Sequence, residues 1–209
     1  PEHIGTDGFQ LAEVTLNTDS FTASQFIVAG YAMTDLPLWR EGEMGLSMMA
    51  GARVEASNQN LETFKPFSPD LEPEVAELRT VDVLPAANLA FNIHEGMLIR
   101  LGYSRTVSRP DFRELSPAVS VDVTGGRLRF GNPDLKRAQI DNIDLRWEWY
   151  FTSTENLSLG IFAKRFTDPI ETVVIPSAQL SVSYANAKGA LNVGGELEWR
   201  KDFGFIHSS

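Results

Sequence analysis

The sequence contains no cysteine, which excludes disulfide frameworks, thiolate metal sites and cysteine nucleophiles. Histidine is nearly as scarce. His3, His94 and His207 are far apart, two of them near the ends, so sequence neighbours offer neither a metal cluster nor a histidine-based catalytic centre. No run approaches the roughly eighteen consecutive apolar residues that a spanning helix needs. Positive charge is also short, with 18 Lys and Arg against 28 Asp and Glu and a net charge of −10. That balance argues against a nucleic-acid partner, because phosphate contacts require clustered Lys and Arg. Pro1 opens no charged-then-apolar leader, so an exported protein would carry this chain as an internal piece.

What the sequence has in quantity is alternation. From Met97 to Ser108, Met97, Ile99, Leu101 and Tyr103 fall on one face, and Arg100, Gly102, Ser104, Thr106 and Ser108 on the other. Asp141 to Phe151 repeats the pattern, with Ile143, Leu145, Trp147, Trp149 and Phe151 opposite Asn142, Asp144, Arg146, Glu148 and Tyr150. Period-two runs of this length predict strands with one apolar face. Further strands are expected over Ser20–Asp35, Met44–Ser57, Val81–Ile93, Leu157–Phe166 and Ala187–Arg200. Ala23, Ile27, Ala29, Tyr31 and Met33 share a face in the first of these. Pro85 inside the third predicts a bulge or bend. Residues 1–19 are weakly patterned, with a short strand around Leu11–Leu16 as the only candidate element.

The connections alternate between short and long. Short ones are expected near 35–43, 94–96 and 152–156, and long ones near 58–80, 109–140 and 167–186. Phe91, Trp149, Phe151 and Trp199 gather at strand ends beside the short turns, with Trp39 inside one. Spanning strands need only about ten residues with every second one apolar, and outer-membrane barrels place short turns at one rim and long loops at the other. Trp and Tyr favour the headgroup zone, being apolar at one end and polar at the other. A soluble sandwich also alternates, but its strands are shorter and its inner rows do not carry charges such as Arg53, Glu55, Arg100, Asp144, Arg146, Glu148, Lys164, Glu196 and Glu198. The expected fold is therefore all-β. It is an antiparallel up-and-down meander from a transmembrane β-barrel, with about seven or eight strands and an incomplete barrel. Residues 1–209 read as one barrel segment without a plug domain.

The long excursion adds motifs. Tyr103-Ser104-Arg105-Thr106-Val107-Ser108-Arg109-Pro110-Asp111-Phe112 and Gly131-Asn132-Pro133-Asp134-Leu135-Lys136 are followed by Glu148-Trp149-Tyr150, Tyr184-x-Asn186 and Gly194-Gly195-Glu196-Leu197-Glu198. In this order they resemble the later barrel strands of TonB-dependent outer-membrane receptors, over about residues 20 to 202. The chain departs from that family's usual Pro-Glu after the loop-motif lysine, having Arg137-Ala138 instead. The resemblance implies energised uptake of a nutrient such as a ferric siderophore across a bacterial outer membrane. It implies as partners the surrounding lipid, the receptor's own plug domain, a TonB-type energy-coupling protein and a small-molecule ligand such as a metal chelate. No cofactor, metal ligand or catalytic residue is expected. Turn chemistry at Arg109-Pro110 and Gly131-Asn132-Pro133 reads as a folding signal for the loop. Arg109, Arg113, Arg127 and Arg129, with Lys136 and Arg137, are the weak candidates for steering an anionic ligand.

Two other readings stay open at this point. A soluble β-sheet binding or adhesion module would lack an uncovered apolar sheet face. An outer-membrane barrel enzyme would need a nucleophile paired with a base, and His94 in a short turn is the one mid-chain histidine. Isolated from its barrel, a segment with open sheet edges is expected to self-associate.

Overall fold

A computed structural model describes residues 20–64, 72–121, 127–176 and 181–203. In chain order the elements are β1 (Thr22–Glu41), β2 (Met44–Phe64), β3 (Pro73–His94), β4 (Met97–Ser108), the one-turn helix α1 (Phe112–Leu115), β5 (Ser120–Val121), β6 (Leu128–Arg129), β7 (Ala138–Tyr150), β8 (Asn156–Thr167), β9 (Ile170–Ile175), β10 (Ser181–Asn186) and β11 (Gly189–Arg200). Seven strands form the wall, an antiparallel sheet in the order β1-β2-β3-β4-β7-β8-β11. β1 and β11 are its edges, so the barrel is open. The short strands of the two long loops form a second sheet, β5-β6-β10-β9. The expected strand at Leu11–Leu16 lies outside the described residues.

The ladder register carries the alternation from strand to strand. Leu89, Leu101, Leu145 and Ile161 lie across from one another, and so do Tyr103, Ile143 and Ala163. At the short-turn rim Met97, Trp149, Leu157 and Trp199 form another such row. Trp149 packs against Phe151 with ring centroids 4.5 Å apart and planes tilted by 60°. Large apolar side chains on this face stand open: Val83, Leu101, Leu145, Ile161 and Leu197 are all exposed, and no second layer covers them among the described residues. A soluble module would leave such a face as a sticky patch, whereas lipid satisfies it. Along β2 the apolar row runs from Met44 to Ala56. At about 3.3 Å per residue and a tilt near 45° it spans about 28 Å, close to the roughly 25 Å band of outer-membrane barrels.

Across the apolar band the opposite face holds the charges. Arg100 pairs with Glu148 at 3.1 Å, and Arg146 reaches Glu148 at 3.0 Å and Glu198 at 3.4 Å, forming a ladder across β4, β7 and β11. Each exposed rung contributes less than about 1 kcal/mol. Their value is that none of these charges faces hydrocarbon.

The structure corrects several boundaries. Residues 35–43 are not a connection, since β1 continues to Glu41 and the turn is Gly42-Glu43 alone. Pro37 is absorbed by a register shift between Pro37 and Trp39. The 58–80 loop is mostly strand, because β2 runs to Phe64 and β3 begins at Pro73. Residues such as Asn58, Gln59 and Asn60 are polar on both faces, yet their backbones still fill the ladder. The hairpin therefore extends beyond the apolar band, where side-chain hydrophobicity no longer reports on pairing. The 167–186 loop contains the β9–β10 hairpin, and β7 begins at Ala138 rather than Asp141. Pro85 makes no bulge. It pairs with Ala52 in unbroken β2–β3 register, while the β3–β4 ladder starts only at Ala86. Having no N–H to donate, proline sits where β3 and β4 part company.

The register also decides which way the faces of β1 point. Tyr31 pairs with Arg53, Ala29 with Glu55 and Ile27 with Ser57. The apolar row of β1 thus lies on the charged inner face, while Phe26, Val28 and Leu36 occupy the lipid side. Both rows are apolar enough that composition does not reveal the face.

This assignment is directly testable. In the whole receptor refolded into lipid vesicles, Leu145→Arg should cost about 2–4 kcal/mol of folding free energy, whereas Tyr31→Arg on the inner face should cost less than about 1 kcal/mol. Denaturant titration followed by heat-modifiable gel mobility measures both.

Candidate functional site

The site is a layer of loop structure seated on the inner face of β2 and β3. Its foundation is a buried ion cluster. Asp82 on β3 is 1% exposed and Glu55 on the neighbouring β2 is 8% exposed, and the two lie directly across from each other. Two like charges in that position repel. Three arginines resolve the conflict. Arg53 bonds Glu55 at 2.8 Å, Arg109 bridges Glu55 at 2.7 Å and Asp82 at 3.4 Å, and Arg137 pairs with Asp82. Arg109 and Arg137 come from the two ends of the long loop, so both of its feet are fastened to the same carboxylate. Gln59 adds a hydrogen bond to the Pro110 carbonyl at 3.1 Å.

Between those feet the chain folds by local rules. Pro110 ends the strand, and Asp111 caps α1 with its carboxylate accepting from the Arg113 N–H at 2.9 Å. The Glu114 carboxylate accepts from the Asp111 N–H at 2.9 Å, completing a capping box. The Gly131 N–H donates to the Ser116 carbonyl at 2.7 Å, and the Asn132 N–H to the Glu114 carbonyl at 2.6 Å. A Cβ at Gly131 would strike three carbonyl oxygens of residues 113–116, so only glycine permits this approach. Asn132 then joins the two loops by donating to the Tyr184 carbonyl at 3.0 Å. Asn186 answers from the other side, accepting from the Lys136 N–H at 2.8 Å and donating to the Lys136 carbonyl at 2.9 Å and the Asp168 carbonyl at 2.8 Å. Leu115 and Leu135 are buried against Leu61 and Ala76 of the wall, with Phe112, Ile170 and Tyr184 around them. Each fully buried leucine contributes about 1.5–3 kcal/mol. The Arg-Pro-Asp-Phe, Gly-Asn-Pro and Tyr-x-Asn blocks, far apart in sequence, thus meet in one knot.

The candidate ligand residues divide accordingly. Arg109 is committed to Glu55 and Asp82, with 13% of its side chain exposed. Arg113 on α1, and Arg127 and Arg129 at β6, are exposed on the loop layer, as is Lys136. Arg137, where the chain departs from the family pattern, is the second anchor. Glu55 was legible only as a member of a charged inner row, and Asp82 was not singled out. Their partnership depends on register, and a lone acid on a lumen row opposite a loop arginine is the one signal that could have found it. His94 lies at the opposite rim, exposed beside Glu43 at 3.5 Å. Among the described residues no group of His, Cys, Asp or Glu is placed to hold a metal ion.

Comparison with known proteins rests on this geometry. A family model described as TonB dependent receptor-like, beta-barrel matches residues 4–208. The chain belongs to the TonB-dependent receptor β-barrel family. That membership places it in the bacterial outer membrane. Among solved structures it is similar to the siderophore receptor PirA from Pseudomonas aeruginosa, with TM-score 0.52, 16% identity, and coverage of 86% of this chain and 40% of that one. It is also similar to a double mutant of the Serratia marcescens hemophore receptor HasR in complex with its hemophore HasA and heme, with TM-score 0.59, 8% identity, and coverage of 86% and 39%. At these identities the likeness concerns the fold. The chain spans about 40% of the length of those receptors. No curated protein matches the sequence.

Removing the anchor has a specific consequence. Asp82→Ala leaves the half-buried Arg137 without its carboxylate and Arg109 with Glu55 alone, and should cost less than the roughly 3–5 kcal/mol of breaking a fully buried pair. In the whole receptor, limited proteolysis should then cleave within 109–137 while the wall strands stay protected.

Proposed function

We propose that this chain supplies part of the wall and part of the ligand-facing loop layer of a receptor that takes up a scarce nutrient across the outer membrane. The observation that carries this reading is the loop layer itself. Two long loops from one rim form a second sheet, tied onto the inner wall through Asp82 and presenting Arg113, Arg127 and Arg129 to solvent. A surface of this kind, rigid below and basic above, suits an anionic metal chelate. The chain's −10 net charge makes a local excess of arginine the more selective. A ferric siderophore is the favoured ligand class. PirA is named as a siderophore receptor and the HasR complex contains heme, so both neighbours handle iron in chelated form.

In this reading Arg109 and Arg137 are positioning residues, and the exposed arginines are the ones that meet ligand. The inner charged ladder of β4, β7 and β11 faces the receptor's own plug domain. A TonB-type coupling protein delivers energy from the inner membrane through that plug. The role is binding and transport, with no chemical step assigned to any side chain.

Uptake of a ferric siderophore by cells expressing the whole receptor should fall to background when the coupling protein is deleted, and undiminished uptake contradicts energised import. Charge reversal at Arg127 and Arg129 together should weaken ligand binding about tenfold without lowering receptor abundance. The isolated chain, with the β1 and β11 edges open, should sediment as oligomers in mild detergent. A monomer there would contradict an open wall.

A further inference from the structure

The inner face of β1–β3 carries a depression directly beneath the loop anchor. Three cross-strand rows define it. The upper row is Tyr31, Arg53 and Leu84, the middle row is Met33, Gly51 and Ala86, and the lower row ends in Met49 and Asn88. Gly51 and Ala86 sit between larger residues above and below, which leaves a dent of about 250 Å³. A Cβ at Gly51 would strike the Ala32 carbonyl oxygen, so the close approach of β1 to β2 keeps that floor bare. Glu55 and Asp82, which hold the loop, form the next inner row above Arg53 and Leu84. At roughly 3.3 Å per residue, the floor of the dent lies about 13 Å below the anchor.

The lining combines an apolar surface with unused polar groups. Tyr31, Met33 and Met49 are exposed, and a ring flanked by thioethers favours a flat aromatic partner. Arg53 donates from Nε to Glu55 at 2.8 Å, and its two terminal nitrogens have no partner among the described residues. The Tyr31 hydroxyl and the Asn88 side-chain amide make no hydrogen bond among those residues either. None of the lining residues is acidic, so in a chain of net charge −10 the dent is locally positive. An apolar surface with a few convergent polar groups is the common form of a small-molecule site. Its volume limits what enters. A cavity of about 150 Å³ takes a benzene ring, so the dent holds one substituted ring while the rest of a larger ligand stays in the lumen.

We propose that this dent is a second ligand subsite on the import path, taking an aromatic ring that carries an oxyanion. The ring lies on Gly51 and Ala86 between Met33 and Met49. The oxyanion accepts from the terminal nitrogens of Arg53 and from the Tyr31 hydroxyl. The exposed arginines of the loop layer meet the ligand first, and Arg53 offers a further unsatisfied guanidinium on the wall below them. The subsite rests on the uptake reading and narrows its ligand class to chelates built from ring-bearing oxyanions.

The test uses the whole receptor purified in detergent and two anionic ferric probes, the 2,3-dihydroxybenzoate complex and the citrate complex. Only the first carries aromatic rings. Titration calorimetry should show the wild-type receptor binding the dihydroxybenzoate complex about tenfold more tightly than the citrate complex. Ala86→Leu, which fills the dent from an exposed position, should remove that preference and leave citrate binding unchanged. Arg53→Gln should weaken dihydroxybenzoate binding by a similar factor, with limited proteolysis confirming that the loop stays seated. Binding of neither probe contradicts uptake of an anionic ferric chelate, and the subsite falls with it. Equal or reversed affinity for the two probes overturns the subsite alone. So does an undiminished preference in either variant, the outcome expected where a segment of the receptor itself fills the dent.

Discussion

A sheet that crosses hydrocarbon must pair its backbone groups along the whole crossing, because lipid offers no alternative hydrogen bond. Nearly everything else in this chain follows from that requirement. It makes the strands long and antiparallel, and it forces their side chains into two rows of opposite solvent. Leu101 and Leu145 belong to lipid, while Arg100 and Arg146, one residue away on each strand, belong to the interior. The same requirement carries β2 and β3 beyond the apolar band as a paired hairpin rather than a loose loop.

Above that band the organising force changes from lipid to buried charge. Asp82 and Glu55 face each other on the inner wall and tolerate that proximity because Arg109 and Arg137 arrive from the loop. A buried ion cluster of this kind adds little net stability, since its desolvation cost offsets much of its attraction. It does discriminate strongly among arrangements. Any other seating of the loop would leave Asp82 buried without a counter-ion. The leucine cluster and the Asn132 and Asn186 bridges then lock the second sheet in place, producing a firm platform below exposed arginines.

The two faces of the wall near this rim divide the basic residues by task. Arg109 and Arg137 point the loop layer onto the wall from inside, whereas Arg79, Arg105 and Arg165 stand on the outer side of β3, β4 and β8. One chain with a large excess of acid therefore places its cations on both faces of the wall.

Period-two alternation and the order of short and long connections were enough to establish the all-β wall and its lipid and inner rows from β2 to β11, while the family was suggested by the resemblance of the motif blocks. They sufficed because lipid imposes a pattern that each strand must satisfy by itself, whatever its neighbours do. The sequence could not decide where polar strands end, because Asn58 to Phe64 pair through backbone groups that carry no side-chain signature. Nor could it orient β1, whose two rows are both apolar until Tyr31 is seen across from Arg53. The anchor was equally hidden. Arg109 read as a possible ligand residue and Arg137 as a departure from pattern, and both became positioning residues only when register brought Glu55 and Asp82 beneath them. Those assignments depend on contacts between residues 27 to 55 positions apart, and only the tertiary structure supplies such contacts.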